Sequence, residues 1–216
     1  MVSESTPTLV YLHGFASGPE GNKARFCRDW AARHSVPFLA PDLNLPSFET
    51  LTVTAQVEAV LALLGTLSGP PVLVGSSLGG FVATAVAHRG AALRSMVLLA
   101  PAVHFARRRQ QSAAWAEYRT QRRMVTFHFA ANRLRMLGSD LLEDLPHWLG
   151  DEIWRIPVPT RILHGRLDDV VPVAESEAYA QRNPEASLHM LEDDHGLLAP
   201  ESLAALDAAL VASFTL

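Results

Sequence analysis

Between residues 71 and 88 the chain has almost no freedom in what it can become. Pro71-Val72-Leu73-Val74 reads as a buried strand and Phe81–Ala87 as a buried helix, with only Gly75-Ser76-Ser77-Leu78-Gly79-Gly80 between them. So short a connection must be a sharp strand-to-helix turn, flanked by glycines because side chains there would collide with the turn. The rest of the sequence repeats the theme. Short β-rich runs at about 8–13, 36–40, 72–76, 95–100, 160–164 and 187–191 alternate with helical patterns at about 22–34, 50–67, 78–88, 173–182 and 200–214. That alternation predicts an α/β fold on a mostly parallel sheet of about six strands, with helices on both faces. Pro71 and Pro159 each stand just before a strand, where a missing amide donor does least harm.

The turn is also where chemistry is expected. Gly75-Ser76-Ser77-Leu78-Gly79 has the pattern G-x-S-x-G, and Ser77 is the candidate nucleophile because it alone has glycine at −2 and +2. A serine hydroxyl near neutral pH needs an adjacent base. Open α/β sheets place such groups on loops at the carboxyl ends of their strands. Two later loops supply them. Asp168, in His164-Gly165-Arg166-Leu167-Asp168-Asp169, is the candidate acid, with Asp169 as its rival; a helix N-terminal cap is the alternative use of such a residue. His195, in Glu192-Asp193-Asp194-His195-Gly196, is the candidate base. The order Ser–Asp–His, each residue on a loop after a successive late strand, suits one proton relay.

Acyl transfer at Ser77 would also need preorganised amides for a tetrahedral oxyanion. The candidates are the backbone N–H of Leu78 and that of Phe15, in His13-Gly14-Phe15 after the first strand. Gly14 would let the chain approach closely, His13 reads as a structural hydrogen bonder, and Phe15 would also wall an acyl pocket. Gly75 and Gly79 would support the turn. Two competing readings exist. A glycine-rich turn can bind phosphate at a helix N-terminus, but no lysine follows as a P-loop requires. A metal site from Asp193, Asp194 and His195 is the other, but three consecutive residues rarely all face one ion, so no metal is expected.

Composition narrows the setting. At 216 residues the chain suits a single domain, residues 1–216, able to bury a full core. Hydrophobic residues make up 49%, charged residues 19%, and the formal net charge is −4. These values argue against a nucleic-acid partner or a stable membrane association. Cys27, the single cysteine, can form neither an internal disulfide nor a cysteine metal cluster, as suits a reducing compartment. The start Met1-Val2-Ser3-Glu4 lacks the basic region of a signal peptide, and no run reaches the roughly 18 apolar residues of a membrane span. The expected location is the cytoplasm.

One segment breaks the alternation. From about 104 to 150 no core strand is evident, and eight of the seventeen arginines lie between Arg107 and Arg135, where Glu117 is the only acidic residue. Val125–Phe129 alternates like a strand that Asn132 would turn into a hairpin. Ser139 would cap a short helix carrying Leu141, Leu145 and Trp148 on one face. The segment reads as a small cap inserted after the fourth strand. Its arginines either bind the anionic part of a substrate or form a solvated helix face with Trp115 and Tyr118 packed inward.

Taken together, Tyr11-Leu12-His13-Gly14-Phe15-Ala16-Ser17-Gly18-Pro19 with Lys23-Ala24, Leu73-Val74-Gly75-Ser76-Ser77-Leu78-Gly79-Gly80, and the Asp168 and His195 motifs resemble the small YqiA/YcfP-type bacterial α/β-hydrolases. The second and third blocks are also similar to the mitochondrial depalmitoylating thioesterase branch of that fold. The resemblance implies an α/β-hydrolase fold and cleavage of a small-molecule ester or thioester through an acyl-Ser77 intermediate, without a cofactor. Peptidase, acyltransferase and cofactor-free peroxidase chemistry, or a non-catalytic binding module, are the alternatives that the fold permits.

Overall fold

The structure, a computed structural model, describes residues 6–150 and 154–215. Six strands form one sheet in the order β2-β1-β3-β4-β7-β8. They are β1 (Leu9–Leu12), β2 (Phe38–Leu39), β3 (Val72–Ser76), β4 (Ser95–Leu99), β7 (Thr160–Gly165) and β8 (Ala186–Leu191). Every pairing in it is parallel, with Leu9 opposite Val72, Val74 opposite Val97 and Leu98 opposite Ile162. Successive side chains of a strand point to opposite faces, and here both faces are covered. Val10, Leu12 and Leu73 join one buried cluster, while Leu9, Tyr11, Val72 and Val74 join the other.

The helices divide accordingly. On one side lie α1 (Asn22–Arg33) and α8 (Pro200–Phe214), which bring Trp30, Ala31, Leu206 and Leu210 to the second cluster. On the other lie α2 (Val53–Leu64), α3 (Leu78–His88) and α7 (Val173–Arg182), which bring Val57, Phe81 and Tyr179 to the first. The expected elements are present, three helices at their expected limits and others shifted at their ends. The second strand shrinks to two residues, and α2 starts only at Val53. Thr52 is extended there, and its hydroxyl accepts the Ala55 N–H, capping the helix. No helix among the described residues is long and apolar enough to cross a membrane.

The arginine-rich segment joins β4 to β7. It contains α4 (Phe105–Gln111), α5 (Ala113–Gln121), an antiparallel hairpin of β5 (Met124–His128) and β6 (Arg133–Leu137), α6 (Asp140–Asp144), and a 3-10 turn at Leu145–Trp148. Asn132 takes the left-handed conformation (φ 49°) that turns the hairpin. Phe105, Trp115, Tyr118, Leu141, Leu145 and Trp148 all belong to the buried cluster on the α3 side of the sheet. The hairpin is anchored by the Phe129 N–H donating to Ala16 O (2.8 Å) and the Gly138 N–H to Glu49 O (2.7 Å). Its other face leaves Val125, Phe127, Phe129, Leu134 and Met136 exposed.

At the end of β3 the packing leaves no slack. A Cβ on Gly75 would lie 2.5 Å from Gly79 O and 2.8 Å from Gly80 Cα, and one on Gly79 would run into the carbonyl of Leu12. All of these obstacles are backbone and cannot swing aside. Gly75→Ala should therefore destabilise the fold by on the order of 3 kcal/mol, lowering the melting temperature by roughly 10 °C. Gly69→Ala, where a Cβ meets no atom within 4 Å, should shift it by less than about 2 °C. Equal melting temperatures for the two variants in a thermal scan would refute the packing account.

Candidate active site

Ser77 sits between β3 and α3 at φ 52°, ψ −117°, a region that costs a non-glycine residue on the order of 1–3 kcal/mol. The surroundings hold it there. Its N–H donates to Leu99 O (2.9 Å), and its carbonyl accepts from Gly80 N (2.9 Å) and Ala102 N (3.1 Å). The kink lifts the Ser77 side chain off the sheet axis toward the loop after β1, where a Cβ on Gly14 would come within 3.8 Å of Ser77 Oγ and 3.2 Å of its Cβ. Gly14 thus lets that loop press against the serine.

The same loop carries Phe15. Neither the Phe15 amide nor the Leu78 amide has an acceptor among the described residues. For Leu78 this follows from its place as the first residue of α3, where no preceding turn exists to receive its hydrogen. His13 is buried, and its Nε2 accepts the Leu43 N–H at 2.8 Å, which puts its ring hydrogen on Nδ1, facing Gly14 O at 2.9 Å. It ties the β1 loop to residue 43 and does not reach for a substrate.

Asp168 and His195 are brought together across two loops. Asp168 Oδ2 lies 2.7 Å from His195 Nδ1, and Oδ1 accepts the N–H groups of Val170 and Val171, both at 2.8 Å. The Asp168 side chain is fully buried. Asp169 is exposed and has no such contact, and neither aspartate caps α7, whose N-cap is Pro172. A carboxylate can only accept, so His195 carries its hydrogen on Nδ1 and turns Nε2 outward as an acceptor. Ser77 Oγ and His195 Nε2 are not hydrogen-bonded to each other here. Such contacts commonly tighten only when substrate is bound.

Topology explains how His195, carried beyond the edge strand β8, is directed toward Ser77 on β3. The loop after β8 folds back over the end of β7, where a side chain on Gly165 would strike the carbonyl of Asp193. It continues as far as the start of α1. There Lys23 Nζ donates to Gly196 O (2.9 Å) and His195 O (3.4 Å). Since α1 follows β1 and β1 pairs with β3, the His195 loop crosses the carboxyl end of the sheet toward the serine.

Two contributors to this arrangement escaped the sequence reading of the site. Lys23 was visible only as part of a motif. It is half-buried, and burial pushes its pKa down to about 8 against the opposing pull of Asp168, Asp194 and Asp193. His164 is wholly buried, with Nε2 3.2 Å from Asp168 Oδ2 and 3.0 Å from Val171 O, and Nδ1 2.6 Å from Ser176 Oγ. Only its position at the end of β7 could have pointed to it. The neighbouring acids have structural uses: Asp193 accepts from Ser202 Oγ (2.7 Å) and Ala199 N (2.9 Å), and Asp194 from Gly196 N (2.7 Å).

A cavity of about 920 Å³ lies elsewhere, lined by Pro7, Thr8, Trp30, Pro70 and Phe214. Thr8 and Pro70 precede β1 and β3, so this cavity opens at the amino ends of the strands, opposite Ser77. Size alone does not locate chemistry, and the strained serine and buried carboxylate mark the carboxyl ends instead.

The sheet order, the strained serine turn and the helices on both faces are those of the α/β-hydrolase fold. The chain belongs to the family described as Uncharacterised protein family (UPF0227), whose model matches residues 8–201. Similar solved structures include the α/β hydrolase domain-containing protein 10 from mouse (TM-score 0.79, 21% identity, 96% of this chain and 89% of that one). A protein from Agrobacterium vitis S4 matches with TM-score 0.82 at 24% identity, covering 97% and 88%. Est1E from Butyrivibrio proteoclasticus matches with TM-score 0.78 at 16% identity, covering 100% and 91%.

Burial on its own would raise the Asp168 pKa, but hydrogen bonds from His164, His195 and the Val171 amide outweigh it and hold the carboxyl well below the usual range. The unfolded chain therefore takes up this proton first as pH falls. The stabilisation is complete above about pH 4 and is lost progressively below it. Asp168→Asn should lower the free energy of unfolding at pH 7 by on the order of 2–3 kcal/mol, and the gap to wild type should narrow toward pH 3. Urea titrations across that range would expose a gap that stays constant, and with it a wrong assignment of the shift.

Proposed function

We propose that this protein is a serine hydrolase that cleaves a carboxylic ester or thioester through an acyl-Ser77 intermediate. The observation that carries this reading is the 2.7 Å contact between the buried Asp168 carboxylate and His195 Nδ1, which leaves Nε2 as the ring atom free to take a proton. Asp168, His195 and Ser77 stand on three separate loops at one end of the sheet. The named hydrolytic enzymes of the same fold, a monoacylglycerol lipase from Paleococcus ferrophilus among them, agree with the reading.

In the proposed reaction Ser77 Oγ attacks the substrate carbonyl carbon while His195 Nε2 accepts the hydroxyl proton. Asp168 keeps the ring oriented and stabilises the imidazolium that forms. The oxyanion is received by the N–H groups of Phe15 and Leu78, each worth on the order of 3 kcal/mol of barrier. Collapse expels the alcohol or thiol, which leaves with the proton from His195. A water then repeats the sequence at the acyl-Ser77 carbonyl, giving up its proton to His195 and freeing the acid and Ser77. The chemistry balances without redox change and asks nothing of a metal or cofactor.

A fluorophosphonate probe should label wild type and spare Ser77→Ala. Hydrolysis of p-nitrophenyl butyrate should fall by at least about 1,000-fold in Ser77→Ala and in His195→Ala. Labelling or turnover that survives in Ser77→Ala would overturn the assignment of the nucleophile.

A further inference from the structure

The arginine-rich segment divides when its side chains are placed. Arg108 Nε lies 3.0 Å from the buried carboxylate of Glu175, which also accepts the His104 N–H at 2.9 Å, and Arg122 is paired with Glu143. Arg119 Nη1 donates to the carbonyls of Gln110 (2.8 Å) and Arg109 (3.3 Å). Arg109 differs from all of these. Among the described residues its guanidinium has no hydrogen-bond acceptor and forms no ion pair, and its Nε, like that of Arg108, is buried without a hydrogen-bond acceptor. It is packed instead among aromatic rings, with Cζ 4.9 Å from the Trp115 centroid, 5.3 Å from Phe105 and 5.8 Å from Phe15.

Two further observations give this cation a direction. Phe15 belongs to the loop pressed against Ser77, and its amide is one of the two unpaired donors there, so Arg109 stands over a wall of the candidate site. Arg109 also lines a cavity of about 210 Å³ with Arg119, Arg122, Trp115, Leu142 and Leu145, and no acidic side chain lines it. Burial, followed by the charge of Arg108, pushes the Arg109 pKa down to about 10 against the opposing pull of the Glu175 carboxylate, which still leaves it cationic at neutral pH. Aromatic faces attract a cation but offer no acceptor to its N–H groups. A largely buried guanidinium with no anion in hydrogen-bond contact is costly, and its planar fork matches a carboxylate in two parallel hydrogen bonds.

We propose that Arg109 is a specificity-determining residue that binds a carboxylate carried by the substrate, so that the enzyme acts on esters or thioesters bearing a second, anionic carboxyl group. The inference rests on the serine-hydrolase reading for the reaction but not for the binding. Arg108, Arg119 and Arg122 are already engaged, and Arg135, also unpaired, stands over Phe48, so it is the place of Arg109 over Phe15 that singles it out in a stretch whose sequence marks all eight arginines alike.

The test compares p-nitrophenyl monoesters of straight-chain dicarboxylic acids of graded length with p-nitrophenyl esters of the matched monocarboxylic acids. In wild type the best dicarboxylic monoester should exceed its neutral counterpart at least 10-fold in kcat/KM. Arg109→Met should lower kcat/KM for the carboxylated ester at least 10-fold and for the neutral ester less than 3-fold, and Arg109→Lys should fall between. Calorimetry of the free dicarboxylate with Ser77→Ala, and with Ser77→Ala/Arg109→Met shown by circular dichroism to be folded, reads binding without turnover. Arg109-dependent binding with no ester turnover and no fluorophosphonate labelling would uphold the anion site and sink the serine chemistry. If neither the rate preference nor the binding depends on Arg109, or if both substrates lose equally, the ring contacts are the whole purpose of this side chain and the proposal fails.

Discussion

The approach of backbone to backbone beneath Ser77 is the constraint on which the rest of this molecule depends. The Leu12 carbonyl faces Gly79 so closely that a single added carbon cannot be placed between them. That contact sets the distance between the loop after β1 and the start of α3. It therefore sets the distance between the Phe15 amide and the Leu78 amide, since each is one residue or a few residues from the contact on rigid chain. A side chain at Gly75 or Gly79 would push the helix off the sheet and widen the gap. The strain at Ser77 is sustained because nine consecutive residues of α3, Leu78–Val86, are buried, and moving the turn would unpack them.

Asp168 organises the other half of the candidate site in the same over-determined way. Its two oxygens face the Val170 and Val171 amides, His164 and His195. With so many donors the carboxylate can be wholly buried and still remain ionised, which a carboxyl in apolar surroundings would not. His164 is the less obvious partner. Fixed by Ser176 Oγ and Val171 O, it occupies the side of Asp168 Oδ2 that would otherwise leave the carboxylate room to rotate away from His195. The orientation of His195 is thus set two side chains deep, by Asp168 and by the His164 behind it.

How much of this could be read from the chain alone depended on whether local pattern or long-range meeting decided the feature. The turn at Ser77, the six parallel strands and the helix limits at Leu78–His88, Val173–Arg182 and Pro200–Phe214 were legible, because periodicity and glycine spacing are local properties. The hairpin at Asn132 was legible for the same reason. The shortness of β2 was not: Val36 has strand propensity, but an edge strand gains little from pairing on one side, and only Phe38–Leu39 pair. His164 and Lys23 were invisible as contributors to the site. One lies inside a strand that could equally have packed it as a core histidine, and the other meets its partners 172 and 173 residues away. The sorting of the arginines was equally hidden, since the pairing of Arg108 depends on Glu175, which lies on α7 far along the chain.

Lys23 shows why the long-range partner matters more than the local charge. It is the only lysine in a chain with seventeen arginines, and it sits where a guanidinium would be hard to accommodate. An ammonium is a compact point charge with three donors, able to address two adjacent carbonyls from the end of a flexible stem, whereas the guanidinium is a broad, rigid fork. The two carbonyls belong to His195 and Gly196, so the lysine grips the backbone of the loop and leaves the imidazole ring free to turn its Nε2 outward. Burying the ammonium is unfavourable and lowers its pKa, and the surrounding Asp168, Asp194 and Asp193 offset part of that cost. The charge that stabilises the loop is therefore balanced by the same carboxylate that orients the ring, and the two ends of the chain are coupled through one acidic cluster.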